Sequence, residues 1–439
     1  MKKATTIHEL ADNLDPSLPL GKEDKDIYVP IYNDILSKLR DRVINDKLES
    51  RTLFVAGQSG TGKTTALNFL EDEEISQAFT VKIINFRDLI DLSDVDIIDL
   101  LLMIGFELVK DNNDLETKYY NKLEEIRKVH KGILKSEAIA SDDRKETAGT
   151  DASLKASAGF LDFIKLTANF FASYRLEQSY RKEARQAFEL SKPELLKTIN
   201  ELIEDYNQKI AGSKKLLLII DDLDKLKDAK QIGSVFIDNR YYMLDLKAKK
   251  VIAIPVNLTT ENEIIALDFD IPTFSLRLKS NPKEERPKED ERDIIRKNEE
   301  LLKKIVLNRI ADASVLINDD AIKEATRYSG GILRQYIQIL NTATVEVRRL
   351  KGNKVTKNNI DNACQALRKT FEMPIINSAK KIRYLENILN THIPDVDDPS
   401  ESINALLGNQ IIAYSNGATW YEVNPLIEET VRIYARKPL

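Results

Sequence analysis

An apolar β-type run, Thr52-Leu53-Phe54-Val55-Ala56, leads into Gly57-Gln58-Ser59-Gly60-Thr61-Gly62-Lys63-Thr64 and then into the helix-forming stretch Thr65-Ala66-Leu67-Asn68-Phe69-Leu70. Strand, glycine-rich turn and helix in that order commit this part of the chain to an α/β layer. The turn has the G-x-x-x-x-G-K-T spacing of a phosphate-binding loop, or P-loop. Its glycines let backbone N–H groups turn inward on an anion, and the helix after them presents its positive end. Gly57, Gln58, Ser59, Gly60, Thr61, Gly62, Lys63, Thr64 and Thr65 are therefore the expected nucleotide cradle. Lys63 is placed to reach the outer phosphates, and the Thr64 hydroxyl to ligate Mg²⁺.

A second aliphatic run, Leu216-Leu217-Leu218-Ile219-Ile220, ends in Asp221-Asp222. Continuous apolar runs of this kind suit a parallel strand buried on both faces. Ligands of α/β sheets bind at the carboxyl ends of the strands, which brings these acids beside the P-loop. Asp221 is the expected metal residue, and Asp222 the expected group to orient and deprotonate a water. Asp224 and Lys225 read as part of the following loop. A further strand, Val251-Ile252-Ala253-Ile254-Pro255-Val256, ends in Asn257, an amide in reach of a terminal phosphate. Ser329-Gly330-Gly331-Ile332-Leu333-Arg334 opens a helix whose Arg334 is expected to lean over the nucleotide.

At 439 residues and 42% hydrophobic, the chain suffices for two or three domains. A formal charge of −5 gives no overall attraction to nucleic acid, so any such surface is local. The single cysteine, Cys364, excludes an internal disulfide and a cysteine metal cluster, which fits a cytoplasmic location. His8, His130 and His392 stand apart, which argues against a zinc site. No signal-peptide core opens the chain, and no run approaches the roughly 20 apolar residues of a membrane span.

Residues 1–27 are polar with scattered prolines and read as a lead-in. Residues 28–280 alternate strands and helices: a helix through Ile31, Ile35, Leu39 and Val43, a strand at 81–86, a helix from Ser93 with a Ser93-x-x-Asp96 capping box, and a helix over about 229–244. Within them, 111–190 reads as a helical and flexible insertion, nearly without apolar residues over 141–150. At 160–174 apolar and polar residues alternate, which fits a strand or hairpin, while Phe163, Leu166 and Phe170 also align on one helix face. The alternation predicts a P-loop parallel sheet with helices on both faces. A charged stretch, 281–298, precedes helical periodicity over 299–372. Residues 373–439 hold a helix, two strands about Asn416-Gly417 and a final helix, a small winged-helix-like α+β module.

In this order the P-loop, the aliphatic run with its acids, Asn257 and the Gly330-Gly331-x-x-Arg334 phrase resemble the AAA+ superfamily of ATPases, over about residues 28–370. The Gly-Gly phrase and the C-terminal hairpin look like its initiator and origin-recognition branch. The run Asp221-Asp222-Leu223-Asp224 looks like the STAND and KAP types of P-loop ATPase. The resemblance implies ATP and Mg²⁺ as cofactors, ATP hydrolysis, a helical lid over the nucleotide and a homo-oligomer. It also implies an arginine donated between subunits, for which Arg240 and Arg277 are the candidates. The usual AAA+ acid pair is Asp-Glu, so Asp222 is one methylene short of the pattern.

Partners are less legible. Residues 384–431 carry no lysine or arginine and eight acids, so the hairpin with Trp420 and Tyr421 suits protein contact or packing better than DNA. Between Arg348 and Arg383 ten basic residues face only Asp361 and Glu372, a strip able to follow a nucleic-acid backbone. The leading reading is an ATP-driven switch acting on a partner protein. A DNA-acting initiator or loader and a non-hydrolysing nucleotide-gated scaffold are the alternatives.

Overall fold

The computed structural model describes residues 1–110, 112–123, 125–126, 174, 178–226, 228–282, 289–394, 399–416 and 418–436. The stretches read above at 141–150 and 160–173 lie outside them. Four strands, β1 (Thr52–Ala56), β2 (Phe79–Asn85), β3 (Lys215–Asp221) and β4 (Lys249–Ile254), form a parallel sheet in the order β1-β4-β3-β2. At the end of β1, Ala56 also bridges Thr273 in parallel, extending the sheet by one short segment. Alternation of side chains decides the two cores. Leu53, Val55, Leu217, Ile219, Val251 and Ala253 pack against helices Asn33–Asn45 and Lys63–Asn68. Phe54, Leu216, Leu218, Ile220, Ile252 and Ile254 face the other way, onto helix Ile97–Val109. This is the P-loop parallel sheet with helices on both faces that the strand pattern predicted.

Helix Ile97–Val109 is buried along its whole length, because the helices Gln178–Phe188 and Lys192–Tyr206 that return from the insertion cover its outer side. Its fully buried carboxylate, Asp99, is satisfied by Arg185 and the Tyr174 hydroxyl. The helix starts three residues later than expected. Asp96, not Ser93, is the cap, with Asp99 closing the box, while Ser93 bonds to Asp91. The helix expected over 229–244 is interrupted at Asn239, after a π-turn over Ser234–Asp238. Among the described residues no helix is long and apolar enough to cross a membrane.

The helical part begins at Glu289, inside the charged stretch, and runs through Glu289–Leu307, Asp319–Ser329, Leu333–Arg349 and Lys357–Ile376 around one apolar core. The first residues are part of it rather than a lead-in. Thr6 and Glu9 form a capping box on helix Ile7–Asn13, and Ile7, Leu10 and Leu14 enter the same core. Ala4 exchanges backbone hydrogen bonds with Arg309 and Ala311. The C-terminal module consists of helices Ala379–Thr391, Pro399–Leu407 and Glu428–Ala435 with the antiparallel hairpin β5 (Ile411–Asn416) and β6 (Ala418–Val423). The hairpin does not project: Trp420 is 0% exposed and clusters with Tyr414, Ile412 and Ile332 of the turn before helix Leu333–Arg349.

Candidate nucleotide site

The P-loop is held from outside by its carbonyl groups. The Gly57 and Gln58 oxygens accept from Lys63 Nζ at 2.6 and 2.9 Å. The Ser59 oxygen accepts from Asn409 Nδ2 at 3.1 Å, the Gly60 oxygen from the Arg334 N–H at 2.8 Å and the Thr61 oxygen from the Tyr32 hydroxyl at 2.7 Å. With carbonyls pointing outward, the N–H groups of Gly60 and Gly62 have no protein acceptor among the described residues. Buried or half-buried donors left in this way call for an acceptor from a ligand. Gly60 (φ +88) is obligatory here, since a Cβ would sit 2.9 Å from the Arg334 Cβ. Gly331 (φ +85) is equally constrained, a Cβ there lying 2.0 Å from the Leu276 carbonyl oxygen.

The loop opens on a cavity of about 150 Å³. Its apolar lining comes from Pro16, Leu18, Pro19, Leu20, Ile27, Tyr28, Val29 and Tyr32 of the N-terminal segment and from Ile305, Leu333 and Ile337 of the helical part, with Arg309 beside them. Its charged lining is largely cationic: Lys63, Arg87, Lys225 and Arg334, with Asp224. Burial lowers the Lys225 pKa to about 8 despite the pull of Asp221, and Arg87, Arg334 and Lys63 lower it further. Burial, with Arg87 next, also lowers Arg334. Cations that repel one another around one cavity form a site for a polyanion.

Asp221 ends β3, in register with Asn85 of β2. It is 1% exposed, and neither carboxylate oxygen has a hydrogen-bond partner. A buried carboxylate in that condition fits a divalent cation beside a polyphosphate, with the half-buried Thr64 hydroxyl at the start of the P-loop helix as the second protein oxygen. Asp222 follows with a left-handed backbone (φ 74). Its carboxylate is engaged by Lys225 and accepts from the Arg87 N–H at 3.2 Å. The strained turn carries Asp224 back under the loop, 2.8 Å from Lys63 Nζ. Burial raises the Asp224 pKa, while Lys63 opposes that rise.

Residues 32–237 match the P-loop domain of the KAP family. The match covers just under half of the chain and takes in the P-loop, β2 and the whole Asp221–Asp224 run, bearing out the KAP-type resemblance. The chain therefore carries a P-loop NTPase domain. No curated protein matches the sequence. Among solved structures, the chain is similar to a Walker-type ATPase of Pyrococcus abyssi (13% identity, 96% of this chain and 99% of that one, TM-score 0.47). Drosophila ORC bound to DNA matches at 13% identity over 100% and 96% of the two chains, TM-score 0.42. The Thermotoga maritima RuvB Holliday junction branch migration motor matches at 11% over 96% and 96%, TM-score 0.36. At scores this low the likenesses carry no weight for function.

Around the NTPase site, Gln58 and Asn257 fall outside the cavity lining, whereas Thr65 is part of it. The Gln58 side chain faces away from the cavity: Nε2 donates to the Ile411 and Leu406 carbonyls at 2.6 and 3.2 Å, and Oε1 accepts from the Ala413 N–H at 2.9 Å. Thr65 Oγ1 accepts from the Leu20 N–H, fixing the N-terminal wall. Asn257 sits in a short helical turn after β4, half-buried and outside the cavity lining. Of the two arginines considered for a neighbouring subunit, Arg277 is 4% exposed, bonded to Glu291 at 2.9 Å and set over Trp420, so it cannot reach another chain. Arg240 donates to the Ile237 carbonyl of the preceding π-turn. Sequence reasoning missed Arg87, Asp224, Lys225 and the apolar wall. The D-D-L-D run signalled Asp224, but not the left-handed turn that aims it at Lys63.

The basic strip is not continuous. Arg368 pairs with Glu429 at 2.9 Å, Lys357 with Glu324 at 3.8 Å and Arg348 with Asp12 at 3.9 Å. Arg349 and Lys351 are exposed at the end of helix Leu333–Arg349, with no ion pair among the described residues.

Proposed function

We propose that this chain is an ATP-binding and ATP-hydrolysing switch that controls a partner protein. The observation that carries the reading is the convergence of Lys63, Arg87, Lys225 and Arg334 on one cavity floored by the P-loop. The adenosine end lies between the N-terminal wall and Ile305 and Ile337, and the phosphates lie on the free N–H groups of the loop. Thr64 and Asp221 would hold Mg²⁺, which neutralises phosphate charge when bound. Lys63 exchanges loop carbonyls and Asp224 for phosphate oxygens. In hydrolysis a water oxygen bonds to the terminal phosphorus as the bond to the β–γ bridging oxygen breaks. That oxygen leaves on ADP, and the water's proton passes to the released phosphate. Asp222 contributes by positioning, since its carboxylate already holds Lys225 and the Arg87 backbone. Slow turnover is the expectation for a site without a free carboxylate base.

The switch follows from the outer contacts of the loop. The lid donates to Gly60 through Arg334, and the C-terminal module is tied to Gln58 by the hairpin and to Ser59 by Asn409. Any shift of the loop around phosphates loads both. Self-association is part of the proposal, tested by mass measurement with and without ATP. Nucleic acid is placed second, on the exposed Arg349 and Lys351. A filter-binding titration at two salt concentrations decides it, and absence of binding at low salt removes it. For the main reading the decisive experiment is Lys63→Ala. Lost ATP binding and phosphate release support it; unchanged affinity and turnover would end it.

A further inference from the structure

Asp222 ties together the two segments that carry Arg87 and Lys225. Its carboxylate is ion-paired with Lys225 and accepts the backbone N–H of Arg87, while the residue itself keeps a left-handed backbone that a non-glycine residue rarely adopts. Strain of this kind persists where surrounding contacts over-determine it, and it concentrates at working sites. Arg87 lies two residues beyond the end of β2, whose last residue, Asn85, is level with Asp221 across the sheet. Its side chain is exposed and lines the cavity, and among the described residues its guanidinium makes no ion pair or hydrogen bond. The same cavity is lined by the apolar Tyr28, Val29, Ile305 and Ile337. With the phosphates on Gly60–Thr64, Arg87 and Lys225 are placed to take the end of the phosphate chain.

We infer that Arg87, with Lys225 beside it, is the specificity-determining contact to the terminal phosphate, by which this chain tells a nucleoside triphosphate from a diphosphate without an arginine from another subunit. The inference rests on the nucleotide reading above and adds which residues distinguish the two ligands. A guanidinium offers a planar fork to phosphate oxygens, and only the triphosphate extends far enough to meet it. Asp222 acts as the positioning residue, fixing the Arg87 backbone and the Lys225 ammonium together.

The test is titration calorimetry of the full chain with Mg²⁺-ATP and Mg²⁺-ADP, comparing wild type with Arg87→Gln and Arg87→Lys. Arg87→Gln is expected to leave ADP affinity within about twofold and to weaken ATP roughly tenfold to a hundredfold, the worth of one charge-assisted hydrogen bond. Arg87→Lys is expected to recover part of the loss, which a purely structural role would not produce. Equal weakening of ATP and ADP, or no change in either, overturns the inference while leaving the nucleotide reading intact. Failure of the wild type to bind either ligand overturns both. Melting curves with an unchanged midpoint confirm that the exposed side chain was removed without cost to folding.

Discussion

Lys63 Nζ lies 2.8 Å from Asp224 Oδ2, and both side chains are buried beneath the P-loop. The ammonium that would meet phosphate is thus already neutralised from below, and Asp224 competes with phosphate for it. Breaking a buried pair from one side costs about 3 kcal/mol. Asp224→Asn is therefore expected to lower the melting midpoint of the free protein and to enlarge the rise produced by Mg²⁺-ATP. Differential scanning fluorimetry with and without nucleotide checks both. A smaller ATP-induced rise than in wild type contradicts the competition.

Gln58 ties the loop to β5 by side-chain hydrogen bonds to Ile411 and Ala413. Gln58→Ala strands a buried carbonyl and a buried N–H, a penalty of about 2 kcal/mol. The expected outcome is faster hydrogen exchange over 411–416, with ATP binding retained because the loop backbone is unaltered. In wild type, Mg²⁺-ATP changes exchange in β5; in Gln58→Ala that response disappears. Persistence of the response in the variant would show that the hairpin is not coupled through this residue.

What was legible follows from the range of the interactions concerned. β1, the loop and β3 are local patterns, and period and spacing suffice to place Lys63, Thr64 and Asp221. The helix Ile7–Asn13 was also legible in principle. Thr6-x-x-Glu9 with Ile7, Leu10 and Leu14 is a capped amphipathic turn, obscured by Pro16 and Pro19 beyond it. Gln58 was not legible, because the partner that turns it outward lies about 350 positions away. Arg277 misled because Glu291 of the next helix and Trp420 of the distant hairpin pack around it and bury it. Arg87 had no motif at all. It matters only because parallel pairing of β2 with β3 brings it level with the acids.

Lys225 carries a pKa lowered to about 8 by burial and by the neighbouring cations. Its folded value lies below the ordinary 10.5, so the protein disfavours the charged form, and stability is gained as pH rises between these values. A bound polyanion reverses the preference and draws a proton onto Lys225. ATP affinity is accordingly expected to fall as pH rises through about 8. At that pH, calorimetry in buffers of different ionisation enthalpy should register proton uptake on binding. Lys225→Met should bind more weakly at pH 7 and lose the uptake. Unaltered uptake in the variant assigns the proton elsewhere.

Trp420 is the chain's only tryptophan, fully buried between Tyr414, at a ring separation of 5.6 Å, and the Arg277 guanidinium. It reports on the hairpin alone. If loop movement around phosphates lifts β5, the indole gains water and loses the cation above its face. Mg²⁺-ATP is then expected to red-shift and reduce its emission, ADP to do so less, and Lys63→Ala to abolish the change. The contact that must yield is named by the geometry: the Tyr414 hydroxyl donates to the Gly330 carbonyl at 2.6 Å, joining the hairpin to the turn that precedes Arg334. Tyr414→Phe removes that one bond and is expected to shift the ATP-free emission toward the ATP-bound value. Emission indifferent to nucleotide in a wild-type protein that demonstrably binds ATP would mean that the hairpin stays seated and that the switch, if there is one, moves the lid alone.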